Sequence, residues 1–394
     1  MMEAWRKIRL GSACETNVDS YSPKEEWTFV NYLDTGNITE NRIDSIQYID
    51  VKNEKLPSRA RRKVKTDSII YSTVRPNQCH FGIIKSQPEN FLVSTGFAVI
   101  EVNAEVLDAD FLYYLLTQAT LVEALHAIAE QSTSAYPSIK ASDIEDLEIE
   151  IPDLGTQKKI ADVLGSLDRK MAQNTAINKN LQEQMEALYR SWFVDYAPFG
   201  GTKPSNWVKA DIYSIANIIY GAPFTSKLFN TEGLGKPIIR IRDLKEQAFV
   251  TYTTEIHPKG HLIQPGDIVV GMDGEFRPYI WGNSEAWLNQ RVCIFESKLP
   301  SDKAFMLYTI KPLLNVIEQT QVATTVIHIG KKDYDAFEII LPDRNTLDQF
   351  GAITTPMLER IVNNSVENKK LAKLRDALLP QLMSGDIDVS DIDL

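Results

Sequence analysis

The feature that most constrains this chain is that it repeats itself. Residues 131–193 align with residues 321–383 at a constant offset of 190, without a gap. The identical pairs are Gln131/Gln321, Ile139/Ile329, Asp143/Asp333, Glu148/Glu338, Ile149/Ile339, Pro152/Pro342, Asp153/Asp343, Thr156/Thr346, Asn174/Asn364, Asn178/Asn368, Lys179/Lys369, Leu181/Leu371, Ala187/Ala377 and Leu188/Leu378. Such a repeat implies two copies of one structural unit, and every fold assignment must respect it. Upstream the echo is weaker but ordered: WRKIRLGS (5–12) against WVKADIYS (207–214), TDSIIYS (66–72) against GDIVVGM (266–272), and FLYYLL (111–116) against FMLYTI (305–310).

Each copy begins with a variable part whose short runs SIIYSTV, HFGIIKS, FAVIEV, IIRIR, DIVVG and RVCIF read as strands. One amphipathic helix is expected near 108–130 and another near 303–320, with Asp108 and Asp302 as N-caps. LEIEIPD and FEIILPD then read as closing strands ended by proline. A long helix follows in each copy. In the first, Ile160, Leu164, Leu167, Met171, Asn174, Asn178, Leu181, Met185, Leu188 and Trp192 alternate at spacings of four and three, a heptad seam. The matching seam, Phe350, Thr354, Met357, Ile361, Asn364, Asn368, Leu371, Arg375, Leu378 and Leu382, is more polar. Pro356 is expected in the first turn of the second helix, and Pro380 to disturb its last turn before Gly385 caps it.

Two seams in one chain invite pairing with each other. If the helices run antiparallel, Asn174 meets Asn368 and Asn178 meets Asn364, and any shifted register would leave amides against leucine. Parallel packing would also match the amides, and a local stutter turning them to solvent is the bland alternative. About 38 residues at ~1.5 Å rise make a spacer of roughly 55–60 Å. The expected fold is α+β: two pseudo-symmetric halves, each a β-rich recognition domain followed by a long helix, with the helices pairing as an antiparallel coiled coil. The expected boundaries are 1–153 for the first domain, 154–196 for its helix, 197–343 for the second domain, 344–385 for its helix and 386–394 for an acidic tail.

With 394 residues, the chain is too long for one ordinary core. No window approaches the roughly 18 apolar residues of a membrane span, and MMEAWRKIRL lacks a signal-peptide core, so a cytoplasmic location is expected. Cys14, Cys79 and Cys293 are scattered, as buried inert thiols in a reducing compartment would be. The net charge of -11 would discourage a nucleic-acid partner, but the acid is concentrated in Glu101–Asp153 and Asp386–Asp393. KNEKLPSRARRKVK (52–65) is a local basic patch that the total hides. The acidic segment from 101 to 153 is expected on the far side of its head or toward protein partners.

Two similar heads on a rigid spacer suit a partner with a repeat distance of its own, and duplex DNA is one. The residues then become specific. A W-x-x-x-x-L start at Trp5, IPDLGTQKKIADVLGSLDRKM, KLRDALLPQLMSGDIDV, RKVKTDSIIYSTVRPNQCHFG and GMDGEFRPYIWGNSEAWLNQRV resemble the specificity subunits of Type I restriction-modification systems, over essentially the full chain. The resemblance implies that each domain reads one half of an asymmetric, interrupted double-stranded DNA target. It also implies that the helices hold the spacing and dock two modification subunits, which use S-adenosylmethionine to methylate adenine. Restriction subunits using ATP and magnesium would join them, and this chain would be non-catalytic and carry no cofactor.

The residues agree: there is no N-P-P-Y, no GxxxxGK[ST] and no HExxH. Pro342-Asp343 with Glu367-Asn368-Lys369 mimics a PD…ExK nuclease motif, but Ile177 stands at the Glu367 position in the first copy. HPKGH (257–261) spaces two histidines like a metal pair, yet Pro258 and Gly260 make it a loop without metal. For DNA, Arg59, Arg61, Arg62, Lys63 and Lys65 are the expected backbone contacts of the first head, with Arg75, Asn77, Gln78 and His80 as base readers. Arg240, Arg242, Arg277, Gln290 and Arg291 are the comparable set in the second. The competing readings are a solvated basic loop and, for Arg240 and Arg242, one exposed strand face; Tyr279 and Trp281 read as packing. Asn174, Asn178, Asn364 and Asn368 are expected to set the spacer register. YRSWFVDY (189–196) covers a helix end in the fold or forms a docking patch. A DNA-free bivalent protein-binding scaffold and a self-sufficient nuclease or methyltransferase are the rival functions.

Overall fold

The computed structural model describes residues 5–132, 136–274, 276–320, 328–390 and 392. Gln321 of the repeat, and Asp391, Asp393 and Leu394 of the tail, lie outside them. The chain forms two compact units, and they cut across the sequence halves: residues 1–168 with 373–394, and residues 169–372. The architecture is α+β, two β-rich heads and two long helices that pair antiparallel.

In the first unit, strand Arg6–Arg9 pairs antiparallel with Glu148–Ile151, Arg6 opposite Ile151. Cys14–Thr16, Phe97–Val102, Ile69–Ser72 and Phe81–Ile83 follow one another across an antiparallel sheet. A second sheet orders Gln47–Asp50, Phe29–Leu33, Phe91–Ser94 and Ala60–Arg62, its middle pair parallel. The apolar runs are continuous because the antiparallel sheet is covered on both faces. Ile69 and Tyr71, with Ala98 and Ile100, enter one core, while Ile70, Phe97 and Val99 enter another.

The second unit repeats this. Val208–Asp211 pairs with Glu338–Leu341, and Ala216–Tyr220, Val292–Ser297, Ile268–Gly271 and Pro278–Ile280 form the antiparallel sheet. Again period two divides the side chains, with Ile268, Val270, Cys293 and Phe295 on one side and Val269, Val292 and Ile294 on the other. The second sheet has five short strands, with Lys236–Ile239 parallel to Ala286–Leu288.

The helix expected over 108–130 is two, Ala109–Leu116 and Ala119–Glu130, bent by 66°. Asp108 caps the first, accepting from the Phe111 amide at 3.0 Å. The break falls where the Thr117 hydroxyl donates to the Tyr114 carbonyl and Gln118 turns extended, φ -61° and ψ 136°. Asp302, expected as the second cap, instead gives its buried carboxylate to Arg344, with Nη1 to Oδ2 at 2.8 Å. No single described helix is long and apolar enough to cross a membrane.

The long helices are Leu154–Phe193 and Arg344–Met383, forty residues each, or about 60 Å at ~1.5 Å per residue. The repeated Pro-Asp-x-x-Thr explains both starts. Asp153 accepts from the amides of Gly155 (2.8 Å) and Thr156 (3.1 Å), and Asp343 accepts from the Thr346 amide (3.1 Å) and hydroxyl (2.8 Å). The threonine hydroxyls hold both carboxyls below the usual range. Pro356 does not open the second helix but lies well inside it. Buried Phe350, Leu358 and Ile361 on either side clamp the helix across the missing hydrogen bond. Gly385, at φ 77°, ends it in the left-handed region, close against the Trp5 indole.

Within the second unit the amides meet. Asn174 Nδ2 donates to Asn368 Oδ1 at 2.9 Å, and Asn364 Nδ2 to Asn178 Oδ1 at 2.8 Å. Asn178 also donates to Ser365 (3.0 Å) and to the Ile361 carbonyl (3.1 Å), and Asn368 to the Met171 carbonyl (3.1 Å). Asn174, Asn178 and Asn364 are buried, so a shifted register would strand polar groups at about 1–3 kcal/mol each. In the first unit Arg375 interrupts the seam and donates to Asp168 at 2.9 Å, whose other oxygen accepts from the Tyr114 hydroxyl at 2.6 Å. One repeat away, the second unit has Met185 and Leu358 in their places, both buried.

The segment after Gly385 is not a free acidic tail. Its apolar residues alternate with the aspartates: Val389 is 1% exposed, and Ile387 and Ile392 pack on the first core beside Leu382 and Met383. Lys159 ties it down through the Ser390 carbonyl. In the second unit Tyr189, Trp192 and Phe193 of YRSWFVDY are packed on the core, with Phe193 4.8 Å from Phe305 and 4.9 Å from Phe350 between ring centroids.

Candidate nucleic-acid interface

In the first head the basic patch lands on an edge strand, Ala60–Arg62. Edge strands carry charge because their outer backbone groups must not recruit another strand. Arg59 and Arg61 are exposed and, two residues apart, lie on one face. Arg62 is half-buried, its Nε makes no hydrogen bond, and burial lowers the pKa of its guanidinium. Lys63 and Lys65 are less available than the sequence suggests. Lys63 pairs with Glu25 at 2.6 Å and stands over the Trp27 ring, and Lys65 is bridged to Glu101. Binding phosphate there would require exchanging one anion for another.

The expected base readers occupy the turn after strand Ile69–Ser72. Arg75 is held at φ 48°, its amide donating to the Pro137 carbonyl at 2.9 Å, and its guanidinium stacks 5.0 Å from the Tyr136 ring. Asn77 and Gln78 follow, exposed, in a short 3-10 turn. His80 departs from expectation: its Nδ1 donates to the Ile38 carbonyl at 2.6 Å, which ties the ring to the neighbouring hairpin.

In the second head Arg240 precedes a 3-10 turn, Ile241–Asp243, and Arg242 lies within it, rather than both lining a strand face. Arg240 is drawn inward, bonded to Thr251, near Asp243 and against the Phe229 ring. Arg242 is exposed, 3.7 Å from Asp243, and Arg277 lies 4.0 Å from Glu318. Gln290 is exposed, and Arg291 stands at the Asp273 carboxylate, 3.5 Å away. Trp281 is fully buried and packs in the core.

The two sets share a place in the fold. Val74 bridges to Ser138 in the first head and Asp273 to His328 in the second. The next amides agree: Ile139 donates to the Thr73 carbonyl at 2.8 Å and Ile329 to that of Met272 at 2.9 Å. Thus Arg75, Asn77 and Gln78 in one head, and Arg277 in the other, leave the same turn of the same sheet. Reading the sequence missed Tyr136, Ser138, Asp273 and His328. Their signal was the repeat register, since Ser138 and His328 immediately precede the identical pair Ile139/Ile329.

The residues of the two other motifs are held apart or in a turn. Asp343 caps the start of the second helix, while Glu367 is 24 residues along it, about 36 Å away at ~1.5 Å per residue, hydrogen-bonded to Asn174. His257 and His261 sit in and beside a turn, with His257 Nδ1 accepting from the Lys259 amide. Among the described residues no three of His, Cys, Asp or Glu gather as a metal site. Burial pushes the Cys14 and Cys293 thiols up to about 12; Cys79 is only half-buried.

A family model described as "Type I restriction modification DNA specificity domain" matches residues 2–183 and again 204–374. The Type I restriction enzyme HindI specificity subunit of Haemophilus influenzae is 25% identical over 98% of this chain and 100% of its own length. The EcoBI specificity subunit of Escherichia coli is 29% identical over 48% of this chain and 41% of its own. Among solved structures, a Type I restriction-modification S subunit from M. genitalium covers 96% of both chains at 16% identity, with a TM-score of 0.60, a likeness of fold.

Proposed function

The chain belongs to the Type I restriction-modification DNA specificity family, and from that premise we propose how its residues specify a target. It is a specificity subunit with two DNA specificity domains and is itself non-catalytic. The observation that carries the reading is that the family model matches twice, once over each copy of the repeat. Each head reads one half of an asymmetric target in double-stranded DNA, and the paired helices fix the gap between the halves. Two modification subunits, which bring S-adenosylmethionine, and restriction subunits, which bring ATP and magnesium, complete the complex in the cytoplasm.

In the first head we assign Arg59, Arg61 and Arg62 to the phosphates, and Arg75, Asn77 and Gln78 to base edges. In the second, Arg277, Gln290 and Arg291 take the base-reading role and Arg242 a phosphate. Arg61→Ala is expected to weaken binding of all duplex sequences similarly and to reduce the slope of log affinity against log salt by about one. A change of base preference would instead make Arg61 a reader.

The ruler is tested by adding one heptad to each long helix, after Thr175 and after Glu367, and mapping modified adenines by long-read sequencing in cells that also carry the modification subunits. Seven residues add about 10.5 Å, and the gap is expected to widen by about three base pairs at 3.4 Å each. Both half-sites should be unchanged. A changed half-site with an unchanged gap refutes the ruler, and absence of any bipartite motif with the parent chain refutes the function.

A further inference from the structure

We propose that His328, oriented by Asp273, is a base-contacting residue of the second head, an inference resting on the reading that this turn faces DNA. His328 Nδ1 lies 2.7 Å from Asp273 Oδ1, and an ionised carboxylate only accepts. The proton is therefore on Nδ1, directed at Asp273. Arg291 Nη1 lies 3.5 Å from the same oxygen and 3.0 Å from Nδ1; with the proton on Nδ1 the ring nitrogen cannot accept from the guanidinium, so the carboxylate is the acceptor that holds both. Once Nδ1 is committed, a neutral imidazole has Nε2 left as an acceptor, and the His328 side chain is 48% exposed. Among the described residues Nε2 makes no hydrogen bond, whereas the His80 ring in the first head is tied to a hairpin.

The chemistry is complementary to a major-groove edge. An acceptor at Nε2 fits the amino group of adenine or cytosine, and the adjacent guanidinium fits guanine N7 and O6. The bridge position also separates the two heads chemically. Ser138 stands where His328 does, and Val74 where Asp273 does. A hydroxyl, 3.5 Å from that of Ser132, in one head and an imidazole beside a carboxylate-held arginine in the other present different chemistry at the same position, as an asymmetric target needs.

The test compares the full chain with His328→Ala, His328→Gln and Asp273→Asn in selections from a random-sequence duplex library. His328→Ala is expected to relax one base position of one half-site about tenfold, leaving the other half-site and the salt slope unchanged. His328→Gln, which keeps volume and hydrogen bonding, should shift that position toward adenine. Asp273→Asn should relax the same position less, because the amide can turn and release the ring. Unaltered base preference in all three variants overturns the proposal. So does a uniform loss of affinity with a lowered melting temperature, which would make the cluster structural. If the parent chain enriches no sequence, the DNA-specificity reading itself fails.

Discussion

Val389→Asp is expected to cost the first unit about 3 kcal/mol and to blunt the first head's half-site while sparing the second's. Two routes are open to the mutant. Keeping the tail docked would bury a carboxylate beside Trp5 and Ile160, on the apolar side of the segment, while the nearby Lys159 is engaged at the Ser390 carbonyl, at a cost of several kcal/mol. Releasing the tail gives up the burial of Val389 and of the partly buried Ile387 and Ile392, at about 1.5–3 kcal/mol for each fully buried side chain. The cheaper route caps the loss, which is why about 3 kcal/mol is expected rather than more. Hydrogen exchange should accelerate in strands Arg6–Arg9 and Glu148–Ile151 and in the start of the first long helix, with residues 169–372 unaffected. Unchanged exchange and melting temperature would show that the docking of residues 386–392 contributes nothing. Val389→Ala, which adds no charge, should lose only part of the effect.

Phe350→Ala should act on the other unit and more strongly, at about 3–5 kcal/mol, the usual range for a buried phenylalanine. The ring is fully buried, with Phe193 4.9 Å and Trp192 5.7 Å away between centroids. Its loss leaves a cavity that cannot collapse easily, because Gly351 already sits so close to the Ser301 backbone that a Cβ there would lie 2.5 Å from the carbonyl oxygen. The expected signature is a lower first melting transition, with exchange accelerated in residues 169–372. A cost below about 1 kcal/mol would mean that Phe193 and Trp192 refill the site, contrary to the packing described.

Much of this architecture is written locally. Heptad spacing, Pro-Asp-x-x-Thr starts and alternating apolar strands are short-range signals. Because the repeat offset also relates the helices to each other, Asn174 could be matched to Asn368 before any contact was known. What escaped depends on partners distant in sequence. Lys63 looks free until Glu25 folds beside it, and Lys65 until Glu101 does. His80 and Arg240 look unconstrained until Ile38 and Thr251 are found to hold them. The bend at Thr117 and Gln118 has no proline or glycine to announce it. The tail misled because its aspartates dominate composition, although the residues between them are those that pack.

The partition into units also dictates an order of events on the ribosome. Residues 169–372 form one uninterrupted stretch, whereas the first unit needs residues 373–394 to complete a core begun at its N-terminus. Synthesis runs N-terminal first at about 5–20 residues per second. The head that is made first is therefore finished after the second: it waits, with the surface that receives Leu382, Met383 and Val389 uncovered, until residues 373–394 have followed, while the unit encoded in the middle has all its residues ahead of it. A released chain truncated after residue 372 should accordingly protect the second unit from protease while leaving the first open.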